Sequence, residues 1–372
     1  MKDLLVYIVC CSIAIAVTPI IAKISIKIGA VDKPNNRKVH EKIMPTLGGL
    51  SIFIAFVLGH VFFGYPHFQF KAIMAGSIII IITGIIDDIY DLDPKLKLIA
   101  QMVAASIIIF SGGLYLRSIN LPIIGLVELN YFGYFLTYLW IIGVTNAINL
   151  IDGLDGLASG VATITFMTMY ILAIIEGDYF VMAYTLILAG ASTGFLAYNF
   201  HPAKIFMGDT GAMFLGYIIS VLALMGFKNA TFISFVVPIL ILGVPVFDTA
   251  FAIIRRKLRG QSFAQADKEH IHHLLMTSNA SQTKTVLIIY AISILFSAVA
   301  IIYTLVSPNL GFGILVVLFI IIQYIATKIG LLDRFFFPYS KITHTDENTI
   351  SEDKILESTI SEDKTPLDKD EN

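Results

Sequence analysis

The stretch "KAIMAGSIIIIITGIIDDIYDLDPKLK", residues 71–97, joins a long apolar run to a cluster of charges. The run from 71 to 90 is long enough to cross a hydrocarbon core of about 30 Å as an α-helix. Its far end carries four carboxylates, those of Asp87, Asp88, Asp91 and Asp93. Carboxylates resist leaving water, so this pattern predicts a membrane helix that ends in a polar site at the membrane surface.

Similar apolar runs recur along the whole chain. Of its 372 residues 57% are hydrophobic and 14% are charged, and the mean hydropathy is +0.83. A soluble chain usually carries about 25% charged residues. The sequence therefore predicts an all-α polytopic integral membrane protein with about eleven transmembrane helices. We expect them near residues 4–23, 46–65, 71–90, 97–112, 131–148, 158–176, 179–198, 212–227, 231–254, 284–305 and 310–330.

The distribution of Lys and Arg among the loops predicts the orientation. Fifteen of these residues fall in loops on one side of the membrane and three on the other. The richer side is expected to be cytoplasmic, which places the N-terminus outside and the C-terminus in the cytoplasm. In the outer loop 113–130 we expect a small hairpin. Pro238 and Pro245 are expected to kink or break the ninth helix.

Charge also divides the chain into two parts. We predict a transmembrane catalytic domain over residues 1–335 and an acidic, disordered cytoplasmic tail over residues 336–372. From Ile342 to Asn372 there are ten Asp or Glu and three Lys, so this stretch carries −7 and the rest of the chain +5. A basic membrane body with an acidic tail does not suggest nucleic-acid binding.

Asp87 and Asp88 form the most costly pair of charges in the chain. Two adjacent carboxylates repel each other, and in a continuing helix Asp87 also shares a face with Asp91. A bound cation would relieve this repulsion. Hard oxygen ligands suit Mg²⁺, for which Mn²⁺ can substitute. The alternative is a charge cluster that marks the membrane interface.

Polar residues recur every third position in "NAINLIDGLDGLA", residues 146–158. In a helix or a tight turn, this spacing keeps Asn146, Asn149, Asp152 and Asp155 on one side. Amides and carboxylates that face one way can hydrogen-bond a sugar or a base, and Gly153 and Gly156 allow the backbone to approach a ligand closely. The alternative is a polar turn between two membrane helices.

Two further motifs carry candidate binding groups. In "FMGDTG", residues 206–211, Asp209 precedes a membrane helix, where it can bind a metal ion beside N–H groups that meet phosphate, or can act as an N-cap. Phe206 can stack on a base or anchor the chain at the interface. His270, His272 and His273 follow a basic segment, and phosphate binding suits them better than a zinc site.

Together these clusters predict metal-binding carboxylates, phosphate-binding cations and hydrogen-bonding amides on the cytoplasmic face. Phosphoryl transfer needs this combination. The pattern therefore predicts a Mg²⁺-dependent phosphotransferase that acts on a membrane lipid. An ion-coupled transporter is a distant alternative, because its charges would be expected near the centres of the membrane helices, with repeat symmetry between halves.

Five motifs in order resemble the polyprenyl-phosphate N-acetylhexosamine-1-phosphate transferase family, glycosyltransferase family 4. They are "VDKPNNRKVHEKIMPTLGGL" (31–50), "DDIYDLDPKLKLIAQ" (87–101), "NAINLIDGLDGLASG" (146–160), "NFHPAKIFMGDTGAMFLG" (199–216) and "HIHH" (270–273). Members of the family move a sugar 1-phosphate from a UDP-sugar to a polyprenyl phosphate and release UMP.

The resemblance implies the substrates. "HIHH" and "DKPNNRKVH" look more like the branch that transfers N-acetylglucosamine 1-phosphate, so we expect UDP-N-acetylglucosamine (UDP-GlcNAc) as donor and undecaprenyl or another polyprenyl phosphate as acceptor. The alternative is the phospho-N-acetylmuramoyl-pentapeptide transferase of peptidoglycan synthesis. The expected setting is the cell membrane, with the active site on the cytoplasmic face and a homodimer possible.

The resemblance also implies roles for residues. Asp209 would bind Mg²⁺ and diphosphate, and the full predicted metal set is Asp209, Asp88 and Asp152. Asp87 and Asp88 would lie near the acceptor phosphate, one of them a candidate base. The uridine side would be framed by Asn149, Asp152, Gly153, Leu154, Asp155, Asn199 and Phe206, and Asn146 is a further expected substrate-binding residue. Phosphates or sugar would meet Lys97, His270, His272 and His273, and the first cytoplasmic loop would contribute Arg37 and His40.

Two mechanisms remain open at this stage. The acceptor phosphate can attack the β-phosphorus of the UDP-sugar directly, or an Asp can first form a covalent phospho-enzyme.

Overall fold

A computed structural model gives the fold of the protein. It describes residues 2–32, 43–121, 125–226, 232–246 and 281–306, with scattered residues between 248 and 256 and between 310 and 321. In this part of the chain the protein is mostly helical, as predicted.

The helices follow one another with short connections. They are α1 (Lys2–Ile28), α2 (Gly48–Phe63), α3 (Phe70–Tyr90), α4 (Pro94–Ser106, prolonged by a π-helical turn, Ile107–Ser111), α5 (Asn130–Ile151), α6 (Leu157–Glu176), α7 (Tyr179–Asn199), α8 (Gly208–Gly226), α9 (Phe232–Ile241) and α10 (Gln282–Leu305). Two antiparallel strand pairs accompany them, β1 (Val31–Asp32) with β2 (Met44–Pro45) and β3 (Ser118–Leu121) with β4 (Gly125–Glu128).

Eight of the described helices are long and apolar enough to cross a membrane. They are α1, α3, α4 with its prolongation, α5, α6, α7, α8 and α10. The shorter apolar helices α2 and α9 overlap two further predicted spans, and the predicted span 310–330 is described only in part. The chain is therefore a polytopic helical membrane protein, while the count of eleven spans stays a prediction.

Two local predictions can be compared directly with the structure. The predicted hairpin in 113–130 is confirmed, since β3 pairs with β4 from Ser118 opposite Glu128 to Leu121 opposite Gly125. In the ninth predicted span, α9 ends at Ile241 and a turn at Leu242 separates it from the helical residues 243–246. The interruption lies between the two prolines, as expected from the backbone donors that proline removes.

The core of the protein lies around α8. Almost every residue of α8 is buried, and the helix packs against α3, α5 and α2. By contrast, α1 exposes large apolar side chains such as Leu4 and Ile20, as expected of a helix with one face toward lipid. A buried central helix gives the site at its N-terminus a rigid support.

Glycines allow the start of α8 to approach its neighbours closely. A Cβ atom on Gly49 of α2 would lie 1.9 Å from the Cα of Gly211, and one on Gly84 of α3 would lie 2.3 Å from the Cα of Thr210. Small residues at helix crossings are typical of membrane proteins, where close backbone packing drives helix association. The N-terminal turn of α8 is thus held between α2 and α3.

The chain divides into two compact units, Met1–Gly311 and Phe312–Asn372. All the helices named above belong to the first unit. In the second unit the described residues, which fall between 313 and 321, are helical. The predicted acidic tail, residues 336–372, lies outside the described residues.

Gly49→Ala should lower the thermal stability of the detergent-solubilised protein. The added methyl group meets the backbone of Gly211, and overpacking of a tight contact typically costs about 1–3 kcal/mol. Gly143→Ala is the matched control, because a Cβ atom there meets nothing within 4 Å. Thermal unfolding should show a lower melting temperature for Gly49→Ala and an unchanged or slightly higher one for Gly143→Ala. Equal melting temperatures for Gly49→Ala and wild type would contradict the packing described above.

Candidate active site

The site is built around the junction of α3 and α8. The carboxylate of Asp88, near the end of α3, accepts hydrogen bonds from the backbone N–H of Asp209 (3.0 Å), the backbone N–H of Thr210 (3.2 Å) and the Thr210 hydroxyl (2.6 Å). The first N–H groups of a helix lack partners within the helix, and a carboxylate there also opposes the positive end of the helix dipole. Asp88 therefore caps α8 from another helix and sets the position of Asp209.

A lysine lies between two of the predicted carboxylates. The ammonium group of Lys97, in α4, lies 2.7 Å from Oδ2 of Asp87 and 2.7 Å from Oδ2 of Asp209. The Lys97 and Asp209 side chains are about a quarter exposed, at 23% and 28%, whereas that of Asp87 is 6% exposed. The repulsion between the Asp87 and Asp209 carboxylates is reduced by a cation that both share, which here is the Lys97 ammonium.

Asp87 is also tied to its own helix end. Its Oδ1 accepts the backbone N–H of Leu92 (2.8 Å), while the Asp87 carbonyl accepts the N–H of Asp91. Asp91 takes a left-handed conformation, with φ of 52°, and ends α3. The helix in which Asp87 and Asp91 would share a face therefore ends at Tyr90, and Asp91 is exposed.

The loop between α5 and α6 brings two more predicted residues to the same place. The Asn149 side-chain amide donates to Oδ1 of Asp209 at 3.0 Å. Asp152 follows the last helical residue of α5 and is partly buried. Burial raises the pKa of Asp152 to about 8, and the negative charges of Asp209, Asp88 and Asp155 add to this effect. Helices α3 and α8 and this loop thus place four carboxylates in one region.

The Asn146 side chain hydrogen-bonds two groups of the protein, and its predicted contact with substrate stays a prediction. Its amide nitrogen donates to Oε1 of Gln101 (2.8 Å) and to the carbonyl of Ile142 (2.8 Å). Gln101 is buried in α4, and its own amide also lies against the Met213 sulfur. In this structure Asn146 therefore joins α4 to α5. Gln101 was not predicted, although a polar residue inside an apolar run was a signal for it.

Asp155 is held by residues that follow α7. Its Oδ2 lies 2.8 Å from Nδ1 of His201 and accepts the backbone N–H of Ala203 at 3.1 Å. Of the four polar residues 146, 149, 152 and 155, the first two lie three positions apart within α5, which ends at Ile151, and the other two lie in the loop that follows. Their arrangement on one side stays a prediction. His201 was missed from the sequence, where "NFHPAK" contained it without an assigned role.

Asn199 supports the site from inside the protein. It is buried, its Oδ1 accepts the Ser159 hydroxyl (2.7 Å), and its amide donates to the carbonyl of Ile205 (3.0 Å). Both functional ends of the Asn199 amide thus engage the protein itself. Its predicted contact with uridine stays a prediction.

The backbone of Phe206 takes part in a series of hydrogen bonds between residues 45–49 and 206–207, which the sequence did not reveal. Its N–H donates to the carbonyl of Pro45 (2.8 Å) and its carbonyl accepts the N–H of Gly48 (3.0 Å), while the carbonyl of Met207 accepts the N–H of Gly49 (2.9 Å). The motif "PTLGG", residues 45–49, thus lies along the approach to α8. In the loop between α5 and α6, two further predicted residues lie between Asp152 and Asp155. Of these, Gly153 is exposed and Leu154 is buried.

The other predicted binding residues lie outside the described residues. They are Arg37, His40, His270, His272 and His273. Their expected contacts with phosphate and sugar stay predictions.

The described residues contain no group of three or more His, Cys, Asp or Glu side chains arranged to hold a metal ion. They do contain a pair, Asp87 and Asp209, that already shares one cationic group. Mg²⁺ commonly binds proteins through one or two carboxylates and completes its shell with water and substrate phosphates. The donors present therefore fit a Mg²⁺ ion that a phosphorylated substrate helps to hold. The predicted set of Asp209, Asp88 and Asp152 stays a prediction.

Comparison with known proteins gives an independent view of the chain. Residues 70–227 match the family model described as glycosyl transferase family 4. This stretch runs from the start of α3 to just past the end of α8 and includes Asp87, Asp88, Lys97, Asn149, Asp152 and Asp209. The match therefore covers the part of the chain that forms the carboxylate cluster.

The chain is also similar to individual proteins over most of its length. It is 48% identical, over 87% of this chain and 91% of the relative, to a probable undecaprenyl-phosphate N-acetylglucosaminyl 1-phosphate transferase of Bacillus subtilis. It is 30% identical, over 73% and 76%, to an undecaprenyl-phosphate alpha-N-acetylglucosaminyl 1-phosphate transferase of Salmonella typhi. It is 32% identical, over 71% and 73%, to a decaprenyl-phosphate N-acetylglucosaminephosphotransferase of Mycobacterium tuberculosis.

Asp152→Asn should stabilise the metal-free protein more and more as the pH rises. The pKa of Asp152 is about 8 in the folded protein, against about 3.9 for an Asp in an unfolded chain. Between these values the folded state keeps a proton that the unfolded state has released, so this residue makes wild-type stability fall as the pH rises toward 8. Asn does not ionise and lacks this dependence.

The measurement is thermal unfolding in detergent with a chelator, at about pH 5 and about pH 8. The melting temperature of Asp152→Asn minus that of wild type should be larger at the higher pH. Asp91→Asn, at an exposed position, is the matched control for the loss of one carboxylate. A difference that does not change with pH would contradict the environment assigned to Asp152.

Proposed function

The chain belongs to glycosyl transferase family 4, and on this basis we propose that it transfers N-acetylglucosamine 1-phosphate from UDP-GlcNAc to undecaprenyl phosphate. UMP leaves, and the product is undecaprenyl-pyrophosphoryl-N-acetylglucosamine. The observation that carries the proposal is the 48% identity to the Bacillus subtilis relative across 87% of the chain. The product would serve as the first membrane-bound intermediate of a cell-envelope polysaccharide.

The relatives also bear on the donor. The three similar proteins named above carry N-acetylglucosamine in their names, whereas none carries the muramoyl-pentapeptide. This favours UDP-GlcNAc over the donor of the peptidoglycan-precursor branch. The chain also has "HIHH" at 270–273, the feature by which the sequence first favoured the same donor.

We place the active site at the cytoplasmic face. Fifteen Lys and Arg residues in the loops of that side, against three on the other, support this orientation. The carboxylate cluster lies where α3 ends and α8 begins, which is where a lipid phosphate at the bilayer surface and a water-soluble nucleotide can both reach it. The protein would then have its N-terminus outside, its C-terminus inside, and a homodimer as one possible assembly.

Mg²⁺ is the proposed cofactor, with Mn²⁺ as a substitute. Of the predicted ligands Asp209, Asp88 and Asp152, we propose that Asp209 binds the ion together with substrate phosphates. When bound, the ion would neutralise charge on the diphosphate and hold it in place. Asn149 orients Asp209 through a hydrogen bond, and the Asp88 cap fixes the backbone of Asp209. Lys97 supplies a second positive charge that can move from the carboxylates to a substrate phosphate.

The proposed chemistry is a direct displacement. A nonbridging oxygen of undecaprenyl phosphate forms a bond to the β-phosphorus, and the bond from that phosphorus to the bridging oxygen breaks, so that UMP leaves with this oxygen. A phosphate monoester has a second pKa near 6 and is largely ionised at neutral pH. A strong base is therefore not needed, and the role of the protein is to position the groups and balance their charge.

The contacts of the carboxylates support the direct scheme over a covalent one. Both oxygens of Asp88 accept hydrogen bonds from α8, and Asp87 shares the ammonium of Lys97 and accepts the Leu92 N–H. An attacking carboxylate would have to give up these bonds, and its lone pairs are less nucleophilic while it keeps them. An acceptor phosphate that enters from the membrane does not have to break these hydrogen bonds in order to attack.

Asp209→Asn should abolish transfer while the protein still inserts and folds. The change removes a negative charge that faces Lys97 and the proposed metal ion, yet it keeps the size of the side chain. The measurement is formation of undecaprenyl-pyrophosphoryl-N-acetylglucosamine by purified protein with Mg²⁺, followed by mass. Asp91→Asn, an exposed Asp at the end of α3, is the matched control and should retain activity.

The same assay separates the remaining alternatives. Several UDP-sugars offered in turn should give product with UDP-GlcNAc, and product from another donor alone would overturn the assignment of the donor. Incubation with UDP-GlcNAc but without acceptor lipid should leave no sugar phosphate on the protein. A trapped phospho-sugar on an Asp would overturn the direct scheme. Near-normal exchange of labelled UMP into UDP-GlcNAc by Asp209→Asn would count against the site.

A further inference from the structure

A tyrosine outside the predicted site reaches one of its loops. Tyr290 lies in α10, which packs against α6, and its hydroxyl donates a hydrogen bond to the carbonyl of Gly156. Gly156 ends the loop that carries Asp152 and Asp155, and it takes a left-handed conformation with φ of 78°. The sequence assigned no role to Tyr290, which lies 134 positions along the chain from its partner.

A second glycine makes this contact possible. A Cβ atom on Gly160, one turn into α6, would lie 1.9 Å from the Tyr290 hydroxyl oxygen and 2.0 Å from the ring carbon that bears it. Any other residue at position 160 would push the ring away from the loop. The space beside α6 is therefore fitted to the tyrosine.

The Gly156 carbonyl is the centre of a larger network. It also accepts the N–H of Gly160 (2.9 Å), and the Ser159 hydroxyl oxygen lies 3.2 Å from it. The single Ser159 hydroxyl proton is donated to Oδ1 of Asn199 at 2.7 Å, and the Asn199 amide donates to the carbonyl of Ile205 at 3.0 Å. The end of the loop is thus connected to the segment that leads into Phe206 and Asp209.

The other part of the loop is held by a separate contact. Asp155 is fixed by His201 and by the N–H of Ala203, both in the segment after α7. Tyr290 therefore adds a contact from α10 to those that α6 and residues 199–205 make with this loop. Loss of its hydroxyl leaves the Gly156 carbonyl with the N–H of Gly160 as donor, so the loop should shift without unfolding the protein.

We propose that Tyr290 is a positioning residue that holds the 152–156 loop for the UDP-sugar. This inference rests on the proposed function, because the loop acts on the nucleotide substrate only if that substrate binds here. The loop lies beside Asp209 through Asn149 and Asp152, so a displaced loop would meet the UDP-sugar less well. The acceptor lipid, which does not depend on the loop in this scheme, should bind as before.

Tyr290→Phe is the direct test, because it removes the hydroxyl and keeps the ring. Loss of one hydrogen bond of ordinary strength corresponds to about a threefold to tenfold rise in KM for UDP-GlcNAc. We expect kcat within about twofold, an unchanged KM for undecaprenyl phosphate and an unchanged melting temperature. Tyr303→Phe, a buried tyrosine on the same helix, is the matched control and should leave both KM values unchanged.

A merely structural role would give a different result. If Tyr290→Phe lowers the melting temperature and raises both KM values together, or if KM for UDP-GlcNAc does not change, the proposal is overturned. Gly160→Ala should raise KM for UDP-GlcNAc at least as much as Tyr290→Phe does, because the methyl group displaces the ring. If Gly160→Ala does not fold, the Tyr290→Phe result still decides.

Hydrogen exchange separates this proposal from the proposed function. In the full-length protein without ligand, the backbone amides of residues 152–157 should exchange faster in Tyr290→Phe than in wild type, and should be unchanged in Tyr303→Phe. If wild type neither binds nor turns over UDP-GlcNAc, the proposed function fails, while faster exchange would still establish the contact as a loop restraint. Unchanged exchange in Tyr290→Phe would overturn the restraint itself.

Discussion

A carboxylate at the end of one membrane helix accepts hydrogen bonds from the first N–H groups of another helix. The rest of the site depends on this contact. Asp88 of α3 accepts hydrogen bonds from Asp209 and Thr210 of α8. Unpaired N–H groups are costly near a bilayer, so a helix that begins beside the hydrocarbon needs such a cap. The cap also joins the two helices at one point, and close packing at Gly84 and Gly49 keeps them there. This junction sets the position of Asp209.

Around that junction, one positive charge is shared by two carboxylates. Lys97 lies between Asp87 and Asp209, and Asn149 donates to the remaining oxygen of Asp209. Both carboxylates are thereby partly neutralised, and Lys97 and Asp209 stay about a quarter exposed, whereas Asp87 is buried. In the proposed reaction, the Lys97 ammonium would turn to a substrate phosphate and a metal ion would take its place beside the carboxylates. Charges near the centres of several membrane helices, as a transporter would use, are a different arrangement.

A second set of contacts holds the groups that we propose to meet the substrate. Gln101 fixes Asn146, His201 fixes Asp155, and Asn199 links α6 to the segment that precedes α8. These side chains are supports, since their polar atoms engage the protein itself. Enzymes that act mainly by positioning need such supports, because a small displacement of a bound phosphate costs much of the rate.

The sequence by itself determined the class of protein, the membrane helices that the structure describes, the hairpin at 113–130 and the identity of the carboxylates, because hydropathy and helix length act locally along the chain. It also indicated the family through motifs that lie in order. Only the tertiary structure decided which side chains form hydrogen bonds and ion pairs with one another. Asp88 caps α8, Asn146 donates to Gln101 of α4, and Tyr290 reaches Gly156 from α10. Lys97 and Asp209 are 112 positions apart, and such pairs depend on which helices pack together and at what depth. Local patterns carry no record of that packing.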